Sequence, residues 1–349
     1  MSEQRSQKIP VAILGATGVV GQRLLRALDG HPWFEVAEVA ASPRRAGMRL
    51  SEAAPWRLPG GPPAFVESKL RAPDPRQVRA PLVLSALDAG AAREIEPAFA
   101  AAGRVVVSNA AAHRMAEHVP LVVPEVNAEH LAILPRGARG VIVTNPNCST
   151  IALALALAPI ARARRVTRVV VSTMQAVSGA GYPGVPALDI VGNVVPGIPG
   201  EEEKIERELP KIFGRLRDGR VEPASMRVSA HSHRVPVEDG HLMAVSLEAD
   251  PPIEPQEALE RLLEFRGEPQ ERRLPSAPVR PVVVCTDPHR PQPRLDREAG
   301  NGMAVTVGRV RRCPVLGLRL VVLGHNTIRG AAGGTLLLAE LLAARGLLG

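Results

Sequence analysis

The run Gly15-Ala16-Thr17-Gly18-Val19-Val20-Gly21 constrains the fold of this chain more than any other stretch. It follows directly on the apolar-rich segment Ile9 to Leu14 and leads directly into Gln22 to Leu28, where apolar residues recur at helical spacing. Strand, glycine turn and helix in that order open a βαβ unit, in which backbone N–H groups and the positive helix end can hold a pyrophosphate. A glycine pattern alone also fits a plain tight turn, and it is the placement here that points to dinucleotide binding.

A second strand at about Phe34 to Ala40 runs into Ala41-Ser42-Pro43-Arg44-Arg45. Chains that bind NAD place an Asp or Glu near this point for the ribose hydroxyls. None is present, whereas a serine hydroxyl and a guanidinium suit a 2′-phosphate, the alternative being arginines that face only water. NADP is therefore the expected cofactor, held by Gly15, Thr17, Gly18, Val19, Val20, Ser42 and Arg44.

Further strands are expected at Pro81 to Leu84 and Arg104 to Ser108, with a helix at Ala91 to Ala102 between them. The alternation predicts an α/β fold whose N-terminal part is a Rossmann-type, doubly wound parallel sheet. Beyond Cys148 an Ala/Leu helix (Ile151 to Ile160) precedes β-branched runs at Val166 to Thr173, Met226 to Val237, His241 to Leu247, Met303 to Arg309 and Leu318 to Leu323. Runs of that length without intervening helices predict an α+β second domain with a mixed or antiparallel sheet. Pro251 to Pro255 and Pro275 to Pro293 read as connections. The apolar final helix, Gly330 to Leu348, needs a partner to cover it and is expected to return to the first domain.

A chain of 349 residues with 45% apolar content is long enough for two such domains. The net charge of +8 is spread through the sequence without a nucleic-acid-binding motif, so it points to anionic small substrates rather than nucleic acid. The N-terminus MSEQRSQKIP has no apolar leader core, and no run of 18 apolar residues occurs, so neither secretion nor membrane insertion is expected. Three scattered cysteines, Cys148, Cys285 and Cys313, form no disulfide framework and no C-x-x-C pair, which fits a reducing, cytoplasmic setting. His231 and His233 share one strand face but lack a third ligand at a metal-site spacing, and no metal is expected.

Cys148 lies in the polar turn Thr144-Asn145-Pro146-Asn147-Cys148-Ser149-Thr150, just before the Ile151 helix. A helix N-terminus stabilises a thiolate, and a polar turn is a poor place for an inert cysteine. Cys285, within Val282-Val283-Val284-Cys285, fits the inert role better, and Cys313 is ambiguous. A thiolate beside a nicotinamide implies addition to an aldehyde, hydride transfer and a thioester, resolved by phosphate or water.

The chain resembles the archaeal and fungal branch of the aspartate-semialdehyde dehydrogenases in eight stretches taken in order. They are GATGVVG at Gly15, SNAAAHRM at Ser108, PLVVPEVN at Pro120, NPNCST at Asn145, QAVSGAGYPG at Gln175, GEEEKIERE at Gly200, RVPVEDGH at Arg234 and HNTIRGAAGG at His325. The resemblance implies Cys148 as nucleophile, His241 as acid/base and Gln175 as the residue orienting the acyl group. Glu201 would bind the substrate ammonium and Arg234 its carboxylate, while Asn109, Arg114 and Lys204 would bind phosphate. Ser178, Gly179 and Asn326 would meet the nicotinamide half of NADP. Ala111 stands where members often have Ser, and the choice of Glu201 over Glu202 or Glu203 rests on its spacing to Lys204 alone.

The implied reaction is reversible reduction of 4-phospho-L-aspartate by NADPH to L-aspartate 4-semialdehyde and phosphate, feeding lysine, threonine and methionine synthesis. The implied division is residues 1–148 with 327–349 for NADP and 149–326 for catalysis and dimerisation, in a homodimer or homotetramer. A malonyl-CoA reductase of the same fold would have no ammonium for Glu201. A non-catalytic NADP-binding sensor would not need Cys148, Gln175, Arg234 and His241 together.

Overall fold

The computed structural model describes residues 7–135 and 139–348; the first six residues of the stretch read for a leader lie outside them. Strands β1 (Ile9–Leu14), β2 (Phe34–Ala40), β3 (Leu82–Ser85), β4 (Val105–Ser108) and β5 (Val141–Thr144) form a parallel sheet in the order β2-β1-β3-β4-β5. A parallel bridge from Ala40 to Arg71 adds a further element outside β2. With it the order becomes that of a doubly wound dinucleotide-binding sheet, reversing between β1 and β3. Strands β1, β3 and β4 are nearly all apolar because helices cover both faces, whereas β2 carries Glu35 and Glu38. The helix after β3 spans Ala89–Ala101 and starts where the Asp88 carboxylate accepts from the amides of Gly90 and Ala91, both at 3.0 Å.

The second sheet is mixed. It comprises β6 (Arg165–Gln175), β7 (Val195–Pro196), β10 (Arg227–Arg234), β11 (His241–Asp250), β12 (Val282–Cys285), β13 (Val305–Cys313) and β14 (Gly317–Gly324), in the order β12-β13-β14-β11-β6-β10-β7. The β6–β10 and β12–β13 pairs are parallel and the rest antiparallel. A separate hairpin, β8 (Arg215–Arg217) and β9 (Arg220–Glu222), turns at Asp218-Gly219, both with positive φ.

Three readings are corrected. Helices do intervene between the long strands, at Glu201–Ile212 and Pro255–Glu264, and both lie on one face of the sheet. The Pro275 to Pro293 stretch is more than a connection, since it contains β12. Cys285 on that strand is only half-buried, and Cys313 is the enclosed one, because β12 is an edge.

The helix Cys148–Ala163 is buried from Ser149 to Ile160 on all sides, as suits a helix with sheet and helices around it. It packs against β6, β13, β14 and both helices just named. The final helix forms over Gly333–Ala344 after a π-helical turn at Ile328–Ala332, and rests on β4 and on the helix Val19–Leu28. Leu336, Leu337, Leu338, Leu341 and Leu342 are all at most 1% exposed, each contributing about 1.5–3 kcal/mol by burial. Its Glu340 accepts from His31 at 2.9 Å and from the Ser276 amide at 3.0 Å, pinning the helix from both sides.

Candidate active site

Strand β5 ends at Thr144 and delivers the N-P-N-C turn to the C-terminal edge of the parallel sheet, where Cys148 begins its helix. The Asn147 side chain caps that helix, its Oδ1 accepting from Ser149 N at 3.0 Å and Thr150 N at 3.3 Å. Cys148 keeps a narrow opening to solvent, yet the protein packed around it raises its thiol to about 12, with Glu201 adding to the rise. Arg114, Lys204 and the helix start pull the other way and do not win. The thiol is therefore protonated here, contrary to the expected thiolate, because burial outweighs the helix end. Gly330 of the π-helical turn packs on it: a Cβ there would stand 2.5 Å from the Cys148 Cβ.

The helix Glu201–Ile212 turns one polar face toward the cysteine. Glu201 Oε2 accepts from Asn147 Nδ2 at 2.8 Å, and Oε1 accepts from Lys204 Nζ at 2.7 Å. Burial pushes the Glu201 carboxyl up, but Lys204 and Asn147 together hold it below the usual carboxylate range, so it is ionised. Glu202 instead accepts from the Ser232 amide at 2.8 Å and Glu203 is exposed, which leaves Glu201 as the one of the three facing Cys148. Arg114 donates from Nη1 to Glu208 Oε1 and from Nη2 to the Asn109 carbonyl, both at 2.8 Å, while Asn109 Oδ1 accepts from Asn145 at 3.0 Å.

From the second sheet, β6 ends in Gln175, whose amide approaches Glu201 Oε2 at 3.4 Å. Arg234 closes the neighbouring β10 and donates to the Ala176 carbonyl at 2.7 Å. His241 opens β11, wholly buried, and its Nδ1 accepts the Ala176 N–H at 3.1 Å. A backbone amide can only donate, so the neutral ring carries its proton on Nε2, which is buried and unpartnered. Burial, with Arg234 nearby, lowers the His241 pKa to about 3, so the ring is neutral. A Cβ on Gly179 would lie 2.7 Å from Arg234 Nη1 and 3.2 Å from His241 Nε2, so only glycine leaves both groups room.

At the cofactor end, Gly15 has φ +78°, and its missing Cβ would meet the Ala86 carbonyl at 2.5 Å. Gly18 starts the Val19–Leu28 helix without any side-chain cap, leaving its first amides, including those of Val19 and Val20, for an anion. The amides of Gly15 and Ala16 reach the Ala40 carbonyl, which brings the end of β2 with exposed Ser42 and Arg44 beside the Thr17 turn. This cradle fits a dinucleotide phosphate. On the other side Asn326 donates to Ser178 Oγ and accepts from the Gly240 amide, both at 2.8 Å, fixing the residue before His241. Arg23 of the glycine-turn helix pairs with Asp239 at 3.1 Å and ties the two sides together.

Cys148, Glu201, Lys204, Gln175, Arg234, His241 and Gly179 thus surround one cleft, while Arg114 and Asn109 stand behind the cysteine turn. Sequence reasoning missed Asn147, Glu208 and Gly330. The available signal for Glu208 was the spacing Glu201, Lys204, Glu208, Lys211, which is one helix face. Among the described residues no His/Cys/Asp/Glu group has the arrangement of a metal site.

Residues 10–134 match the family "Semialdehyde dehydrogenase, NAD binding domain", and residues 157–329 match "Semialdehyde dehydrogenase, dimerisation domain". Aspartate-semialdehyde dehydrogenase of Archaeoglobus fulgidus is 49% identical over 95% of this chain and 97% of its own. That of Methanothermobacter thermautotrophicus is 51% identical over 96% and 99%. Among solved structures, aspartate semialdehyde dehydrogenase with NADP from Candida albicans superposes with a TM-score of 0.91 at 38% identity, covering 97% of this chain and 99% of that one.

Proposed function

This chain belongs to the aspartate-semialdehyde dehydrogenase family, and on that premise we propose the chemistry of its cleft. It is an NADP-dependent oxidoreductase that reduces 4-phospho-L-aspartate to L-aspartate 4-semialdehyde and phosphate, reversibly, in amino-acid biosynthesis leading to lysine, threonine and methionine. The observation that carries the substrate is Glu201, an ionised carboxylate beside Cys148 with Arg234 on the adjoining sheet. Together they fit the ammonium and carboxylate of an aspartyl group. A malonyl thioester has no ammonium to offer Glu201.

The Cys148 thiol attacks the acyl carbon, the C–O bond to phosphate breaks and the departing phosphate takes the thiol proton, which gives a thioester on the chain itself. Lys204 receives the phosphate at the cleft mouth, and the Arg114 charge stands behind it. Gln175 orients the acyl group. NADPH, held on the glycine turn with Ser42 and Arg44 at its 2′-phosphate, supplies the hydride when bound. His241, with its proton on Nε2, donates to the acyl oxygen as negative charge develops there. To accept a proton at that atom it must first give this one up, so its first act is as a donor. As the aldehyde forms, the oxygen's proton returns to His241 Nε2 and the sulfur leaves, taking a proton from solvent to become the thiol again; the reverse order regenerates the thioester.

We further read residues 1–148 with 327–349 as the NADP-binding domain and 149–326 as the catalytic and dimerisation domain. The protein is taken to be cytoplasmic, because its three cysteines are free, and to act as a homodimer or homotetramer. Support for assembly comes from the mixed sheet, whose core face bears Val169 and Val171 while Val170 on the other face is 45% exposed. The test is NADP reduction by aspartate semialdehyde. A stoichiometric burst without phosphate and steady turnover with it are expected; steady turnover independent of phosphate overturns the reading.

A further inference from the structure

Glu208 lies on the same face of its helix as Glu201 and Lys204, yet it faces away from the cleft, behind the cysteine turn. It is 2% exposed and spends each carboxylate oxygen on a different functional segment. Oε1 accepts from Arg114 Nη1 at 2.8 Å, and Oε2 accepts from the Asn147 amide at 2.7 Å, one residue before the nucleophile. One turn on, the buried Lys211 ammonium donates to the carbonyls of Arg114, Ala116 and Val119 at 2.7, 2.8 and 3.0 Å. The segment bearing Arg114 is thus gripped by side chain and by backbone from a single helix. Arg114, 6% exposed, holds one bond from each terminal nitrogen, and its buried Nε has no partner.

We propose that Glu208 is a positioning residue for the phosphate step, locking the Arg114 guanidinium to the Asn147 amide so that the anion-binding charge and the nucleophile's turn keep one fixed spacing. The inference rests on the reading of the cleft as an acyl-phosphate site. A carboxylate is required because it accepts on both oxygens. Glutamine can still accept the Asn147 amide with its oxygen, but its NH2 then confronts the Arg114 donors. Glu208→Gln therefore releases Arg114 while sparing the cysteine turn.

The experiment compares wild type, Glu208→Gln, Arg114→Lys and the double variant in the oxidative direction, reading KM separately for phosphate and for aspartate semialdehyde. Glu208→Gln is expected to raise KM for phosphate roughly ten- to hundredfold, the worth of a charge-assisted hydrogen bond, with the phosphate-free NADPH burst retained. In the Arg114→Lys background the same change adds little, because the residue it acts through is already altered. An unchanged or lowered KM for phosphate, or effects that multiply fully, overturns the proposal. If Glu208→Gln does not fold, Glu208→Asp carries the same cycle, since its shorter carboxylate cannot span both donors. A wild type indifferent to phosphate sinks the functional reading instead, and is told apart by that control alone.

Discussion

Cys148 is pulled two ways, toward ionisation by the helix start and by Arg114 and Lys204, and toward the thiol by its surroundings. Replacing it with Ala removes the acyl carrier, so turnover is expected to vanish while NADPH binding, read by fluorescence, persists. Its proton also links to stability. A thiol at about 12 in the fold and near 9 in the open chain stabilises fully below pH 9, and that contribution is lost as pH rises toward 12. His241, at about 3 rather than 6.5, stabilises above pH 6.5, and its contribution is lost as pH falls toward 3. Stability should peak between these limits, with slopes of at most about 1.4 kcal/mol per pH unit from each group. Urea melts across pH should show a flatter alkaline limb in Cys148→Ala, and an identical limb would refute the thiol assignment. The glycine turn and the cysteine turn were legible from residue chemistry, because each carries its signal within seven positions. Glu208 was not, since its partners lie 94 and 61 residues away and only folding brings them together.

The π-helical turn Ile328–Ala332 is the element on which the cleft most depends. Arg329 within it donates to both oxygens of Glu125, a pair that is almost wholly buried. Arg329→Met strands that carboxylate without a partner and is expected to cost about 3–5 kcal/mol in chemical denaturation, with part regained on adding Glu125→Gln. Gly330→Ala should behave differently. The added methyl meets Cys148, so kcat should fall steeply while stability drops by only about 1–3 kcal/mol; an active Gly330→Ala enzyme would contradict the packing. Elements were readable where their period was long, as in β6 and β11, and unreadable where short. The β8–β9 hairpin carried an Asp-Gly signal, but strands of three residues leave no alternation to see. Strand β12 was hidden by the prolines flanking it.

For the molecule as a whole, the mixed sheet has helices on one side and the row containing Val170 and Ala244 open on the other. If that face joins subunits, Ala244→Arg should shift the protein from dimer toward monomer in sedimentation, with its far-UV spectrum unchanged. An unaltered sedimentation coefficient would place the interface elsewhere. The change from a parallel to a mixed sheet was legible because the hydrophobic pattern changes after Cys148. How the halves meet was not, since Arg23 and Asp239, which join across them, lie 216 positions apart.

The final leucine-rich helix also bears on the order of events during synthesis. The parallel sheet's last strand is complete at Thr144, but the helix that covers part of it ends at Ala344. At ribosomal speed those 200 intervening residues take roughly 10–40 s to emerge. Through that interval the nascent first domain carries an open apolar face, a natural client for a chaperone. Because Gly330 also belongs to this late segment, a chain that stops before it is left both sticky and inert.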